Sequence, residues 1–230
     1  MKKLFGALFV LTSFSVLTRA LGFFFRIYLS RVVGAESLGV YQIAFSVFMV
    51  LETMVSSGIP VVISKKTAEN SQNSSHLVSA GLVIGSIVAL VLCAFIFLFK
   101  SIFSSIFTDE RCMGILFLLL PSLVFSSVYS VMRGNFWGNK KFFFVSFTEF
   151  FEQVSRIALS VLFLGVLNFS LDKVFLASIS YTISCVVSSI LVFFIYIKGG
   201  GKFSSPKGQI KPLLKISSYY QFQRREHLCT

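Results

Sequence analysis

Charge is scarce in this sequence. Only 13% of its residues are Asp, Glu, Lys or Arg, against roughly 25% in an ordinary soluble domain. Acidic residues are the scarcer sign, 9 against 21 basic ones. The four cysteines, Cys93, Cys112, Cys185 and Cys229, form no pair with redox or metal-ligand spacing. Cys93 and Cys185 lie inside apolar runs, where a free thiol packs as a small hydrophobe. The two histidines, His76 and His227, have no metal-like surroundings. No nucleophile–base pair, phosphate loop or zinc pattern is present. These absences argue against an enzyme and predict neither metal nor cofactor. A nucleic-acid partner would fit a net charge of +12, but the charges sit between apolar runs rather than on one basic face.

What fills the chain instead is hydrophobic residues, 55% of the total. They gather in stretches long enough to cross a bilayer, which needs about 20 apolar residues. The expected fold is all-α, a polytopic bundle with spans near 4–29, 38–63, 77–99, 113–132, 142–167 and 174–197. Short connections make neighbouring helices antiparallel. The first span is too long for a secretory signal and no small-residue cleavage site follows it, so it reads as a retained helix. Residues 1–197 form a transmembrane lobe, 198–215 a basic linker with Gly199-Gly200-Gly201 and Ser204-Ser205-Pro206, and 216–230 an aberrant or truncated tail. The linker is either a solvated loop or a polybasic segment on anionic headgroups.

The positive-inside rule gives orientation. With the N-terminus in the cytoplasm of a bacterial cell, Lys2, Lys3, Lys65, Lys66, Arg133, Lys140, Lys141, Lys198, Lys202, Lys207, Lys211 and Lys215 are cytoplasmic. The opposite side holds only Arg31, Lys100, Arg111 and Lys173. Twelve against four sets the topology.

Ionisable residues within spans cost at least ~2.5 kcal/mol each at the bilayer centre and are candidates for function. Arg19 and Arg26 lie two turns apart on one helix face, with Gly22 between them for close approach. Two guanidinium groups on a face suit a diphosphate; the bland alternative has Arg26 reaching the interface and Arg19 pairing with an acid. Glu52 either neutralises one of these arginines or binds a coupling cation. Glu149, Glu152, Gln153 and Arg156 make a polar stripe on the fifth span, with Glu152 and Arg156 at the favourable i, i+4 spacing. The stripe faces a wet cavity or fixes helix packing by ion pairs.

The run Arg19-Ala-Leu-Gly-Phe-Phe-Phe-Arg26 through Gly34-Ala-Glu36-Ser-Leu-Gly39-Val-Tyr41-Gln42 resembles the opening of the stage V sporulation protein B family. That family is a branch of the multidrug/oligosaccharidyl-lipid/polysaccharide (MOP) exporter superfamily. Gly58-Ile59-Pro60 with Ser64-Lys65, and Arg133-Gly134 through Gly138 followed by Glu152-Gln153 and Arg156, continue the resemblance in order. Asn135 and Trp137 depart from the family's usual Tyr and Gln. The resemblance implies two pseudo-symmetric helical lobes around a central cavity. It also implies flipping of undecaprenyl-diphosphate-linked sugars, with Arg26, and less closely Arg19, on the diphosphate. The implied partners are the lipid-linked oligosaccharide, membrane lipids, and a second half-transporter or a second copy. The rivals are a cation-coupled multidrug exporter of the same superfamily, using Glu52 or Glu149, and a non-transporting scaffold for envelope assembly. After Ser217 the family pattern is lost. Codons for Ser-Tyr-Tyr-Gln read one nucleotide later can spell the family's Pro-Ile-Thr, so a shifted or truncated frame is expected there.

Overall fold

In the computed structural model, residues 2–69, 74–107, 109–166, 172–205 and Leu213 are described. The 216–230 tail and most of the linker beyond Ser205 lie outside them. Among the described residues eight α-helices follow one another: α1 Lys2–Val33, α2 Ala35–Ser56, α3 Gly58–Glu69, α4 Ser74–Leu98, α5 Lys100–Ile106, α6 Arg111–Gly138, α7 Phe142–Val161 and α8 Lys173–Lys198. A π-helical turn, Leu162–Val166, extends α7. No strand occurs among the described residues. Each expected span corresponds to a helix, with ends shifted by a few residues except at two places.

The first is the second span, which runs to Glu69 as α2 and α3 with a break at Ser57. Pro60 is the cause. It has no N–H to give the Ser56 carbonyl, and its ring crowds that oxygen, so the ladder must restart. The second is α6, which continues to Gly138, well past the expected end at Met132. Residues 133–138, expected as loop, are therefore helical, and Gly134, Asn135, Phe136 and Gly138 are buried in the bundle.

Among the described residues, five segments are long and apolar enough to cross a membrane: Phe9–Val33, Ala35–Glu69, Ser74–Leu98, Arg111–Gly138 and Lys173–Lys198. α7 falls short of that measure because Glu149, Glu152 and Arg156 fall within its 20 residues. At about 1.5 Å per residue it is still about 30 Å long, the thickness of a bilayer core. Its charges are ion-paired within the bundle, Glu149 with Arg133 and Glu152 with Arg156.

α6 is the central post, packed against α2, α3, α4 and α8. α1 lies outside and packs mainly along α7. Phe14 meets Phe143 and Phe150 edge-on, Gly22 faces Gln153, and Gly165 faces the Tyr28 hydroxyl. The numbers rise together, so α1 and α7 run parallel.

Helices in lipid gain little from burying apolar surface against one another and depend on close packing and interhelical hydrogen bonds. Glycines supply the first. A Cβ on Gly134 would stand 2.7 Å from the Pro60 carbonyl oxygen, and one on Gly138 2.7 Å from that of Ser64. Gly134 and Gly138, one helical turn apart, let α3 lie directly on α6. Hydroxyls supply the second. Thr182 donates to the Leu118 carbonyl at 2.7 Å, near the interruption that Pro121 makes in α6, and Ser189 donates to that of Phe125 at 2.8 Å. Apolar packing forms two clusters. One is built on Phe48, Ile115, Leu116, Leu119 and Tyr181, the other on Ile63, Val78, Met132 and Val192. Leu213 is buried in the second cluster.

The ends of the bundle differ. At one, Arg111 pairs with Glu36 at 3.2 Å and Asp109 at 2.8 Å, and Lys173 donates to the Val32 carbonyl. The Asp109 carboxyl also accepts from the Arg111 backbone N–H at 2.8 Å. These bonds from Arg111 hold Asp109 below its ordinary value. At the other end Gly199–Lys202 lies beside Ser74, Asn139 and Lys141, and His76 meets the Ser205 carbonyl at 2.9 Å.

Candidate functional site

A cavity of about 460 Å³ opens where α2, α3, α6, α7 and α8 meet. Its size falls in the range of small-molecule sites, roughly 300–1,000 Å³. Glu52 on α2 and Glu152 on α7 bring carboxylates to it, Arg133 on α6 a guanidinium, and Trp137 an indole. Serines 56, 64, 126, 130, 188 and 189 complete much of the wall. Ser130 satisfies itself through the Ser127 carbonyl at 2.9 Å, the back-bonding that lets a hydroxyl sit within a span. The Ser188 hydroxyl and Arg133 Nε are sealed from solvent and make no hydrogen bond among the described residues. Buried donors without partners are rare in native proteins and call for an explanation such as a bound group.

Glu52 accepts from the Ser126 hydroxyl at 2.7 Å and, more distantly, from that of Tyr181 at 3.5 Å. The expected pairing of Glu52 with Arg19 or Arg26 is therefore not formed. The reason is packing: α1 runs along α7, while Glu52 points toward α6 and α8. Arg156 donates to Glu152 at 2.8 Å, as the i, i+4 spacing anticipates. Glu149, on the same stripe, pairs with Arg133 across to α6.

A second, smaller space of about 290 Å³ is lined by Ser15, Thr18, Arg19, Arg133, Glu149, Glu152 and Gln153. Arg133 and Glu152 thus line both spaces. Arg19 faces this cleft from α1. Arg26, two turns further, is exposed and lines neither space. Gly22 between them faces the Gln153 amide at an ordinary contact distance, 3.5 Å from where a Cβ would stand. Sequence reasoning missed Arg133 and Trp137 as site residues because both were assigned to a loop. The Gly134–Gly138 spacing beside them was the available sign that the helix continues.

Among the described residues no group of His, Cys, Asp and Glu is arranged to hold a metal ion. Cys185 lines the cavity and Cys93 reaches the Leu120 carbonyl. Cys229 and His227 lie outside the described residues.

Comparison with known proteins agrees with this architecture. Stage V sporulation protein B of Bacillus subtilis (strain 168) is 26% identical over 196 residues, covering 82% of this chain and 38% of that protein. A multidrug resistance MATE family transporter of the MOP superfamily, solved in an outward-facing conformation, has a TM-score of 0.73 at 16% identity. That match covers 92% of this chain and 50% of the transporter. A MOP superfamily transporter from Pyrococcus furiosus Vc1 (DSM3638) gives 0.67 at 17% identity, again over 92% and 50%. The chain spans about half the length of these transporters and less of the sporulation protein. The polysaccharide biosynthesis protein family matches residues 6–225. This membrane helix bundle, with the fold of about half a MOP-superfamily transporter, belongs to that polysaccharide biosynthesis family.

Proposed function

We propose that the chain is one lobe of a flippase or exporter that moves undecaprenyl-diphosphate-linked saccharides across the bacterial cell membrane by alternating access. The observation that carries this reading is the family match over residues 6–225 on a transporter fold. The site chemistry supports it. Arg19 faces a cleft that shares Arg133 and Glu152 with the wall of the larger cavity, and Arg26 stands exposed on the same helix. Arginine suits phosphate oxygens through its bidentate geometry. Glu52, Glu149, Glu152 and Arg156 line or brace the polar interior. A second lobe, from the same polypeptide, a separate chain or a second copy, would supply the opposing wall, since transport of this kind rocks two bundles about a shared site. The N-terminus is cytoplasmic, which puts the end bearing Lys65, Lys141 and Lys198 inside.

A cation-coupled drug exporter is the second reading. It is favoured by the MATE neighbours and by Glu52, a carboxylate set in the cavity wall without a direct basic partner at its oxygens among the described residues. Native mass spectrometry of the purified chain separates the two. The flippase reading expects retention of a lipid diphosphate in preference to the lipid monophosphate and to a lipophilic cationic drug. Retention of the drug alone would replace it with the exporter.

A further inference from the structure

The larger cavity has a charge balance that a diphosphate does not fit. Arg133 is paired with Glu149 and Arg156 with Glu152, so both guanidinium charges are already matched by carboxylates. Glu52 adds a further carboxylate at the wall. No surplus positive charge faces this space among the described residues, and an anion placed beside Glu52 and Glu152 meets repulsion in a medium of low dielectric. An uncharged, hydroxyl-rich guest meets the opposite. Sealed polar groups without a partner among the described residues await it: the Ser188 hydroxyl and Arg133 Nε. Glu52 can accept from a guest hydroxyl while keeping its Ser126 bond, since a carboxylate has several acceptor positions.

Trp137 adds an apolar platform. It lies one turn from Arg133 on α6 and lines the same cavity, and 40% of its surface remains exposed. Phe142 meets the indole edge-on, with ring centres 5.4 Å apart, and helps fix its orientation. The electron-rich face of an indole attracts the weakly positive C–H face of a pyranose. An aromatic plane flanked by hydroxyl and carboxylate groups is the chemistry that recognises sugars.

We infer that this cavity is a saccharide subsite, in which a pyranose ring lies on Trp137 and hydrogen-bonds to Ser188, Arg133 Nε and Glu52. The inference rests on the flippase reading for the origin of the sugar, but its chemistry covers a free saccharide as well. The diphosphate of a lipid-linked guest then belongs outside this cavity, on the α1 side where Arg19 stands.

The sole tryptophan of the sequence is Trp137, so intrinsic fluorescence reports on the proposed subsite alone. The full chain in detergent is titrated with undecaprenyl diphosphate, with the same lipid carrying N-acetylglucosamine, and with free chito-oligosaccharide. Binding is read in parallel by native mass spectrometry. Both lipids are expected to bind, and only the glycosylated one to shift Trp137 emission. Trp137→Ala is expected to weaken the glycosylated lipid at least tenfold and leave the bare lipid unchanged, and Trp137→Phe to restore most of the loss. Equal emission shifts from the two lipids, or equal effects of Trp137→Ala on both, would overturn the subsite and leave the flippase reading standing. If neither lipid binds, the flippase reading fails, and the free saccharide decides the subsite: an emission shift keeps it and its absence removes it.

Discussion

The Arg156 guanidinium stands 4.4 Å from the centre of the Tyr181 ring, a cation–π contact between α7 and α8. Its other partner is Glu152, and the Tyr181 hydroxyl reaches on to Glu52. One arginine therefore ties together the polar groups of three helices. The Glu152 and Arg156 side chains are only 22% and 21% exposed, so losing one partner leaves a poorly solvated charge. Arg156→Ala should lower stability by about 3 kcal/mol, the scale for breaking a buried pair from one side. Glu152→Gln combined with Arg156→Gln should cost less, since neither charge is left alone. Thermal unfolding in detergent checks the order; a double variant worse than Arg156→Ala would contradict it.

The α3–α6 contact depends on two glycines. Gly134→Ala and Gly138→Ala each place a methyl group against a carbonyl oxygen of α3. Backbone cannot step aside as a flexible side chain can, so each should destabilise by about 1–3 kcal/mol. Gly39→Ala is the control, because nothing lies within 4 Å of its Cβ position. The same melting experiment should find it close to the parent.

Acid should loosen the end of the bundle that holds Asp109. Its carboxyl is depressed from an ordinary 3.8 by bonds from the Arg111 side chain and backbone. A depressed group stabilises the fold above its unfolded value and loses that contribution as pH falls through the folded one. Parent and Asp109→Asn should thus differ at pH 6 and converge below pH 3.8. The effect is small, because the pair is exposed to water. A difference that grows on acidification would reverse the assignment.

Orientation is testable with single cysteines in a cysteine-free background. An impermeant thiol reagent added outside intact cells should label Asp109→Cys and Asp172→Cys and spare Ser75→Cys and Lys141→Cys. The inverse pattern would turn the bundle over.

Arg26→Ala should weaken lipid-diphosphate binding on the order of tenfold, the equivalent of about 1.5 kcal/mol for a charged hydrogen bond. Arg26→Lys should weaken it less, since the charge stays and the bidentate geometry goes. Native mass spectrometry with titrated lipid reads both. Parent-like affinity in each would leave Arg26 as an interfacial anchor.

Much of the fold could be read before any coordinates, because apolar run length and bilayer thickness are directly linked. Tertiary choices were less accessible. Glu52 could have faced α1 or α6, and nothing local decides between them; the parallel packing of α1 on α7 does. The i, i+4 pair of Glu152 and Arg156 was legible because both partners lie on one helix. The Arg133–Glu149 pair was not, because it forms between helices and because hydropathy ended α6 one residue before the arginine. The short helix α5, Lys100–Ile106, was missed for a similar reason: at seven residues it is too brief to show a period. The break at Ser57 left a sign in Pro60, but an unbroken apolar run masked it.

The Arg111 cluster has an electrical consequence. Two carboxylates, Glu36 and Asp109, surround that one guanidinium, so its end of the bundle presents less positive charge than a count of basic residues suggests. The opposite end carries Lys65, Lys66, Lys140, Lys141, Lys198 and Lys202, offset there by Glu69. On the proposed orientation, with that end cytoplasmic, its lysines would sit on the negative side of the membrane potential. Carrying any one of them across would cost about 2.3 kcal/mol per 100 mV beyond the cost of desolvation. On the proposed orientation the energised membrane would itself hold the bundle upright, and a cell that lost its potential would lose part of what fixes the orientation of each newly inserted copy.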